Sequence, residues 1–186
     1  MSESLIGLLT GPIGVGKTTV AERVAGSALR RGLACGGLLA PALVDPCGQK
    51  AGIWGVDVAT GERRILARMD RDLGGPQVGP YSFDGDALRW AVEVVEEAIP
   101  RADLVLVDEI GRLELWQDGG LAPVLPRLAA GEARRALILV RESLLAELQA
   151  RLEPAHRVVF AVDEENRGDM PSRVVQGLSL EKAEEA

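Results

Sequence analysis

Apolar positions along this chain follow two rhythms. Short, nearly unbroken aliphatic runs recur at Leu5-Ile6-Gly7-Leu8-Leu9, Leu33 to Ala40, Leu104-Val105-Leu106-Val107, Ala136 to Val140 and Arg157 to Val162. Runs of this length, bounded by Gly, Pro or charged residues, predict strands buried on both faces, as in a parallel sheet. Stretches with helical spacing lie between them. Residues 18–31 predict a helix stopped by Gly32. Residues 84–99 predict another, capped by Asp84 or Asp86, with Leu88, Val92, Val95 and Ile99 on one face and Pro100 as its end. Residues 121–130 read as helical, with Pro123 and Pro126 as points of kinking or restart. Residues 143–152 predict a helix closed by Pro154, and residues 171–180 a last one covering the sheet.

A different pattern separates the first two helices. Ile53–Val58 and Arg63–Ala67 alternate about the turn Ala59-Thr60-Gly61-Glu62 and predict an antiparallel hairpin at a sheet edge. The Gly36-Gly37 pair predicts a bulge or a close backbone approach. Residues 41–50 and 68–83 are broken by Gly and Pro and read as loops, the second either a lid on the substrate side or a plain surface loop. The acidic end, Glu181 to Ala186, is expected to fray. Alternating strands and helices predict one α/β domain over residues 1–186, a mostly parallel sheet with an antiparallel edge hairpin.

The first strand runs into Gly11-Pro12-Ile13-Gly14-Val15-Gly16-Lys17-Thr18-Thr19, which fits G-x-x-x-x-G-K-[ST] at every fixed position. The glycines let bare backbone approach a phosphate, and successive N–H groups with the first turn of the helix form an anion cradle. Lys17 would reach the β- and γ-phosphates, Thr18 would ligate Mg²⁺ and Thr19 would donate to the α-phosphate. The aliphatic run Leu104 to Val107 ends in Asp108-Glu109. An acid there holds Mg²⁺ beside the P-loop hydroxyl, or else caps a helix or pairs with a cation. Glu109, one residue further, can orient and deprotonate an attacking water, or be a surface glutamate. A P-loop kinase has no need of a water-activating Glu at this spot, so Asp-Glu favours hydrolysis.

Two arginines join the candidates. Arg112 is placed to reach the phosphates, to pair with Glu114 or to stay solvated. Arg141 ends the fourth run, at the carboxyl edge where open α/β sheets bind ligands, and is a γ-phosphate sensor or a partner of Glu142.

Composition narrows the partners. Of 186 residues, 47% are hydrophobic and 26% charged, which is globular rather than disordered. Aromatics are only 3% and the net charge is −7, which argues against stacking platforms and against nucleic acid as the main partner. Cys35 and Cys47 have no zinc spacing and His156 is the only histidine, so both thiols are expected reduced in a cytoplasmic protein, without a disulfide. No segment reads as a signal peptide or a membrane span.

Together the P-loop, the Gly61 hairpin, Val78-Gly79-Pro80-Tyr81, Val107-Asp108-Glu109-Ile110-Gly111-Arg112-Leu113-Glu114-Leu115 and Glu165-Asn166-Arg167 resemble the small P-loop nucleoside-triphosphatases, the family of the thermophile and cancer-related NTPases. The resemblance implies a RecA-like three-layer sandwich and Mg²⁺-dependent hydrolysis of several nucleoside triphosphates to diphosphate and phosphate. It implies Lys17 and Thr18 as phosphate and Mg²⁺ residues, Asp108 as the metal acid and Glu109 as the base, and it places Asn166 and Arg167 with the nucleotide-binding residues. Residues 41–49 and the loop after Arg68 depart from the family's Lys/Phe-rich pattern.

Two other readings stay open on the residues. Asp108-Glu109-Ile110-Gly111 satisfies D-x-x-G, and Asn166-Arg167-Gly168-Asp169 is one substitution from N-K-x-D, so a GTP-binding switch is possible. Arg63, Arg64, Arg68 and Arg71 would serve a small-molecule or nucleotide kinase as an acceptor clamp, or simply form a solvated basic face.

Overall fold

The structure, a computed structural model, describes residues 4–180; the acidic tail at 181–186 lies outside the described residues. In chain order the strands are β1 (Leu5–Gly11), β2 (Cys35–Leu39), β3 (Ala42–Val44), β4 (Lys50–Asp57), β5 (Arg63–Arg68), β6 (Gln77–Val78), β7 (Tyr81–Phe83), β8 (Leu104–Ile110), β9 (Arg135–Arg141) and β10 (Arg157–Ala161). The helices are α1 (Lys17–Arg30), α2 (Gly85–Ala98), α3 (Arg112–Gln117), α4 (Leu125–Ala129), α5 (Leu145–Arg151) and α6 (Met170–Gly177), with 3-10 turns at Ala122–Val124 and Glu142–Leu144.

The five aliphatic runs become β10-β1-β9-β8-β2, every neighbouring pair parallel. Their side chains alternate between two cores, which is why they are apolar throughout. Leu104, Leu106, Leu137 and Leu139 face α1 and α6, whereas Val105, Val107, Ala136, Ile138 and Val140 face α2 to α5. The result is the three-layer α/β sandwich expected. The strand order matters for chemistry. β9 lies between the P-loop strand β1 and the acid strand β8, the arrangement of the RecA-like sheet.

The antiparallel side is built further than a hairpin. β4 pairs with β2 and β5, as the alternation around Gly61 predicts. Both segments read as loops also contain strands. Ala42–Val44 pairs back on β4, and Gln77–Val78 with Tyr81–Phe83 forms a short hairpin on β5. Strands of two or three residues are too short to show a period of two, so Gly and Pro dominated the reading of 41–50 and 68–83.

Helix ends follow local rules. α1 ends in a Schellman motif, with Leu33 N donating to Ala28 O and Gly32 N to Leu29 O, Gly32 at φ 77°. Asp84, not Asp86, caps α2 by accepting from Ala87 N at 2.9 Å. The buried stripe of α2 differs from the one expected: Ala87, Trp90, Ala91, Val95 and Ala98 face inward, while Leu88 and Val92 are half-buried. Sheet glycines decide this. A Cβ on Gly36 would lie 2.8 Å from the Ala98 Cβ, and one on Gly55 would lie 2.9 Å from the Trp90 ring, so the helix turns its small residues and one indole onto bare backbone. The prolines in 121–130 restart the chain, as a 3-10 turn followed by α4. Among the described residues no helix is long and apolar enough to cross a membrane, and Cys35 and Cys47 are free thiols.

Candidate active site

The P-loop joins β1 to α1 at the carboxyl edge of the sheet. Gly14 and Gly16 take φ 79° and 102°, conformations that L side chains rarely adopt. A Cβ on either would meet no protein atom within 4 Å, so both have open space beside the backbone. Gly11 does a different job: a Cβ there would lie 2.3 Å from Val162 O, so it serves the close approach of the β10 exit. No side chain caps the start of α1 and no acid occupies its first turn, which leaves the first N–H groups and the helix dipole available to an anion. Lys17 is 8% exposed. Its Nζ donates to Gly11 O at 2.9 Å and to Pro12 O at 3.0 Å, bracing the loop from within. Burial lowers its pKa, an effect opposed by Glu109 and Asp108 and reinforced by Arg141.

Asp108 is 3% exposed at the end of β8. One oxygen, Oδ2, accepts from Ala40 N at 3.0 Å, and the Thr18 hydroxyl lies close enough to favour the ionised carboxylate. Burial pushes its pKa up to about 6, with Glu109 adding to the rise and the Ala40, Thr18 and Lys17 interactions opposing it. The expected neighbourhood of P-loop hydroxyl and strand-end acid is therefore present. Two neighbouring hard oxygens suit Mg²⁺, which typically takes one or two protein ligands and completes its shell with phosphate and water. Among the described residues no group of three or more His, Cys, Asp or Glu forms a self-sufficient metal cage.

Strand order brings in Arg141. It is paired in register with Gly11 on β1, while Val140 beside it is paired with Ile110 on β8. Its Nε donates to Glu109 Oε1 at 3.0 Å, so its carboxylate partner is Glu109 rather than Glu142. Both side chains are about one-third exposed (36% and 31%), open to the cradle's mouth. Lys17 and Thr18 at the start of α1, Asp108 and Glu109 on β8 and Arg141 on β9 thus converge at the carboxyl edge of the sheet.

The remaining candidates divide. Arg112 is exposed and lies over the Trp116 ring at 5.0 Å, at the rim of the cavity that Asp108 and Glu109 line. It makes no pair with Glu114, which is buried beneath it. Asn166 sits at the same sheet edge but spends its amide inside its own loop: Oδ1 accepts from Asp163 N, and Nδ2 donates to Ala161 O and Asp163 Oδ2. Arg167 beside it is exposed. The arginines near the long loop are engaged elsewhere. Arg63 stacks on Trp54, Arg64 on Trp90, and Arg68 pairs with Asp70; none of these three, nor Arg71, lines the cavity next to the acids.

Two supports were not foreseen. The backbone N–H of Ala40 orients Asp108, and no sequence signal marks a main-chain donor 68 residues away. Glu114 accepts from Gly111 N at 2.9 Å and Leu121 N at 3.3 Å, tying the start of α3 to the following turn and fixing the segment after Glu109. Its place three residues after Gly111 is the capping-box spacing, a signal that was there to be read.

A family model described as NTPase matches residues 7–175. The nucleoside-triphosphatase THEP1 of Methanopyrus kandleri is 34% identical over 180 residues, covering 96% of this chain and 97% of its own. That of Thermofilum pendens is 31% identical, covering 92% and 94%. Among solved structures, THEP1 from the hyperthermophile Aquifex aeolicus superposes with a TM-score of 0.76 at 17% identity, covering 93% of this chain and 98% of that one. A human cancer-related nucleoside triphosphatase superposes at 0.73 with 23% identity, covering 96% and 100%.

Proposed function

The chain belongs to the NTPase family whose model spans it, and from that premise we propose that it is a Mg²⁺-dependent nucleoside-triphosphatase that releases the terminal phosphate to water. The observation that carries the reading is the junction of Thr18, Asp108, Glu109 and Arg141 beside an open glycine cradle. In this reading the N–H groups of residues 13–18 bind the phosphate chain, and Lys17 leaves its loop carbonyls for the β- and γ-phosphates. Thr18 and Asp108 hold Mg²⁺, which supplies charge neutralisation on those phosphates. Glu109 orients the attacking water and takes its proton. Arg141 faces two partners, the Glu109 carboxylate and the incoming terminal phosphate, so phosphate binding draws it off Glu109 and frees the base. Phosphoryl transfer is governed by positioning and charge, and the chain supplies both from rigid strand ends. The base is read by no specific pair: Asn166 is committed to its own loop, which supports a broad triphosphate range over a GTP-selective switch.

The test is phosphate release from ATP, GTP, CTP and UTP, with Mg²⁺ or with EDTA, for the wild type and Glu109→Gln. Activity is expected on several triphosphates, abolished by EDTA, and reduced by about 10²–10⁴-fold in Glu109→Gln, with triphosphate affinity retained. Undiminished turnover in that variant would remove Glu109 from the mechanism.

A further inference from the structure

Beside the acids lies a cavity of about 180 Å³, on the order of ten times the space a single water needs. Asp108, Glu109, Arg112, Glu114 and Arg141 line it, yet no residue from Pro12 to Thr19 does. The acids therefore stand on a seam, with the phosphate cradle on one side and this cavity on the other. The P-loop orders the phosphates so that the terminal one meets Lys17 and the strand-end acids. On the reading of the site above, the terminal phosphate would lie next to this cavity.

The wall away from the acids is mostly apolar, with Lys50 on it and the buried Glu114 lining the cavity beside Asp108 and Glu109. Leu38 and Leu66 come from the sheet, Leu88 and Ala91 from α2, and Pro80 and Tyr81 from the β6–β7 hairpin, which forms the roof. Lys50 lies 5.3 Å from the Tyr81 ring at the edge of that roof. The half-buried Leu88 of α2 is part of this lining. A hydrolase needs a seat for one water with two to four polar partners. A partly apolar chamber closing on three carboxylates and two guanidinium groups instead matches a molecule with a hydrocarbon body and one polar end, the usual design of a small-molecule site.

We propose that this cavity seats a second substrate, a small, mostly apolar alcohol that accepts the terminal phosphoryl group in place of water. The proposal rests on the reading of Glu109 as the group facing the terminal phosphate. The hydroxyl oxygen forms a bond to the γ-phosphorus. The bond from that phosphorus to the bridging oxygen breaks, and its electron pair leaves with the nucleoside diphosphate. The hydroxyl proton passes to the Glu109 carboxylate and then to solvent. The products are a phosphate monoester and the diphosphate. Hydrolysis is the same displacement with water in the alcohol's place.

The test uses the full chain with Mg²⁺ and ATP labelled in the γ-phosphate, with 2-phenylethanol as probe and glycerol as a polar control. Label is expected in phenylethyl phosphate at the expense of free phosphate, at least about tenfold above the glycerol product, a margin set by desolvating the ring. Leu88→Trp and Val78→Trp fill the cavity from two sides, and neither residue belongs to the phosphate-binding group. Both are expected to keep hydrolysis and lose transfer to the alcohol. A thermal shift by 2-phenylethanol in the presence of a non-hydrolysable triphosphate, present in wild type and absent in either filled variant, reports occupancy without chemistry. Label appearing only as free phosphate, with hydrolysis intact, overturns the acceptor role while leaving the triphosphatase standing, and a thermal shift without transfer overturns it equally. Absence of any label release overturns the triphosphatase reading itself.

Discussion

Replacing Asp108 with Asn separates the stability of this site from its function. The carboxylate is buried, and burial pushes its pKa from the ordinary carboxylate value up to about 6. A carboxyl whose folded pKa lies above its unfolded one binds its proton more tightly in the native state. Below pH 4 both states hold the proton and the group costs nothing. As pH rises from about 4 to 6 the unfolded chain ionises first, so stability falls through that window and stays low above it. A shift of about two units corresponds to about 3 kcal/mol. Asn keeps an oxygen for the Ala40 N–H, so Asp108→Asn recovers most of that penalty. Thermal unfolding at a series of pH values is the assay. The variant is expected to match wild type near pH 4 and to gain about 6–12 °C by pH 7, taking 2–4 °C per kcal/mol for a chain of this length. Its Mg²⁺-dependent turnover should be lost, and Mg²⁺ with a non-hydrolysable triphosphate should raise the melting temperature of wild type alone, through binding to the native state. A stability difference that is the same at every pH, or a variant less stable than wild type at pH 8, refutes the electrostatic account of this site.

Three further outcomes follow from particular contacts. Arg141→Ala should lower turnover by about 10²-fold, as loss of a donor to developing charge does, while changing stability by less than about 1 kcal/mol because the Glu109 pair is partly exposed; steady-state kinetics and thermal unfolding check the two halves. Gly14→Ala places a Cβ on a backbone at φ 79°, in the open space beside the loop, so triphosphate affinity, read by calorimetric titration, should fall by more than tenfold with the fold intact. Leu139→Ala empties a fully buried position between β9 and the α1–α6 layer and should cost about 2–5 kcal/mol in denaturant unfolding at any pH, in contrast to Asp108.

Much of this architecture was legible because its determinants are local. The five parallel strands announce themselves as aliphatic runs because both faces are buried, and the P-loop, the Asp-Glu pair and the Asp84 cap each lie within a few residues of chain. The edge strands Ala42–Val44 and Gln77–Val78 were hidden, since two or three residues beside Gly and Pro carry no period. The α2 stripe was half legible: Val95 and Ile99 are buried as expected, but hydrophobicity ranks Leu88 and Val92 above Ala87 and Ala91. The actual contact is set by glycines on strands 30 to 60 residues earlier.

By itself the sequence determined which groups this protein has for phosphate chemistry and that they sit on strand ends of an α/β sheet, because glycine conformations, helix starts and buried strands are fixed by near neighbours. Only the tertiary structure decided which groups meet. Arg141 pairs with Glu109 rather than with the adjacent Glu142 because β9 is inserted between β1 and β8, and Asp108 is oriented by Ala40 because β2 is its neighbour on the other side. It also decided what lies next to them. The cavity is made where α2 and a short hairpin converge on the sheet, and contacts between segments far apart in the chain leave no trace in the spacing of residues along it.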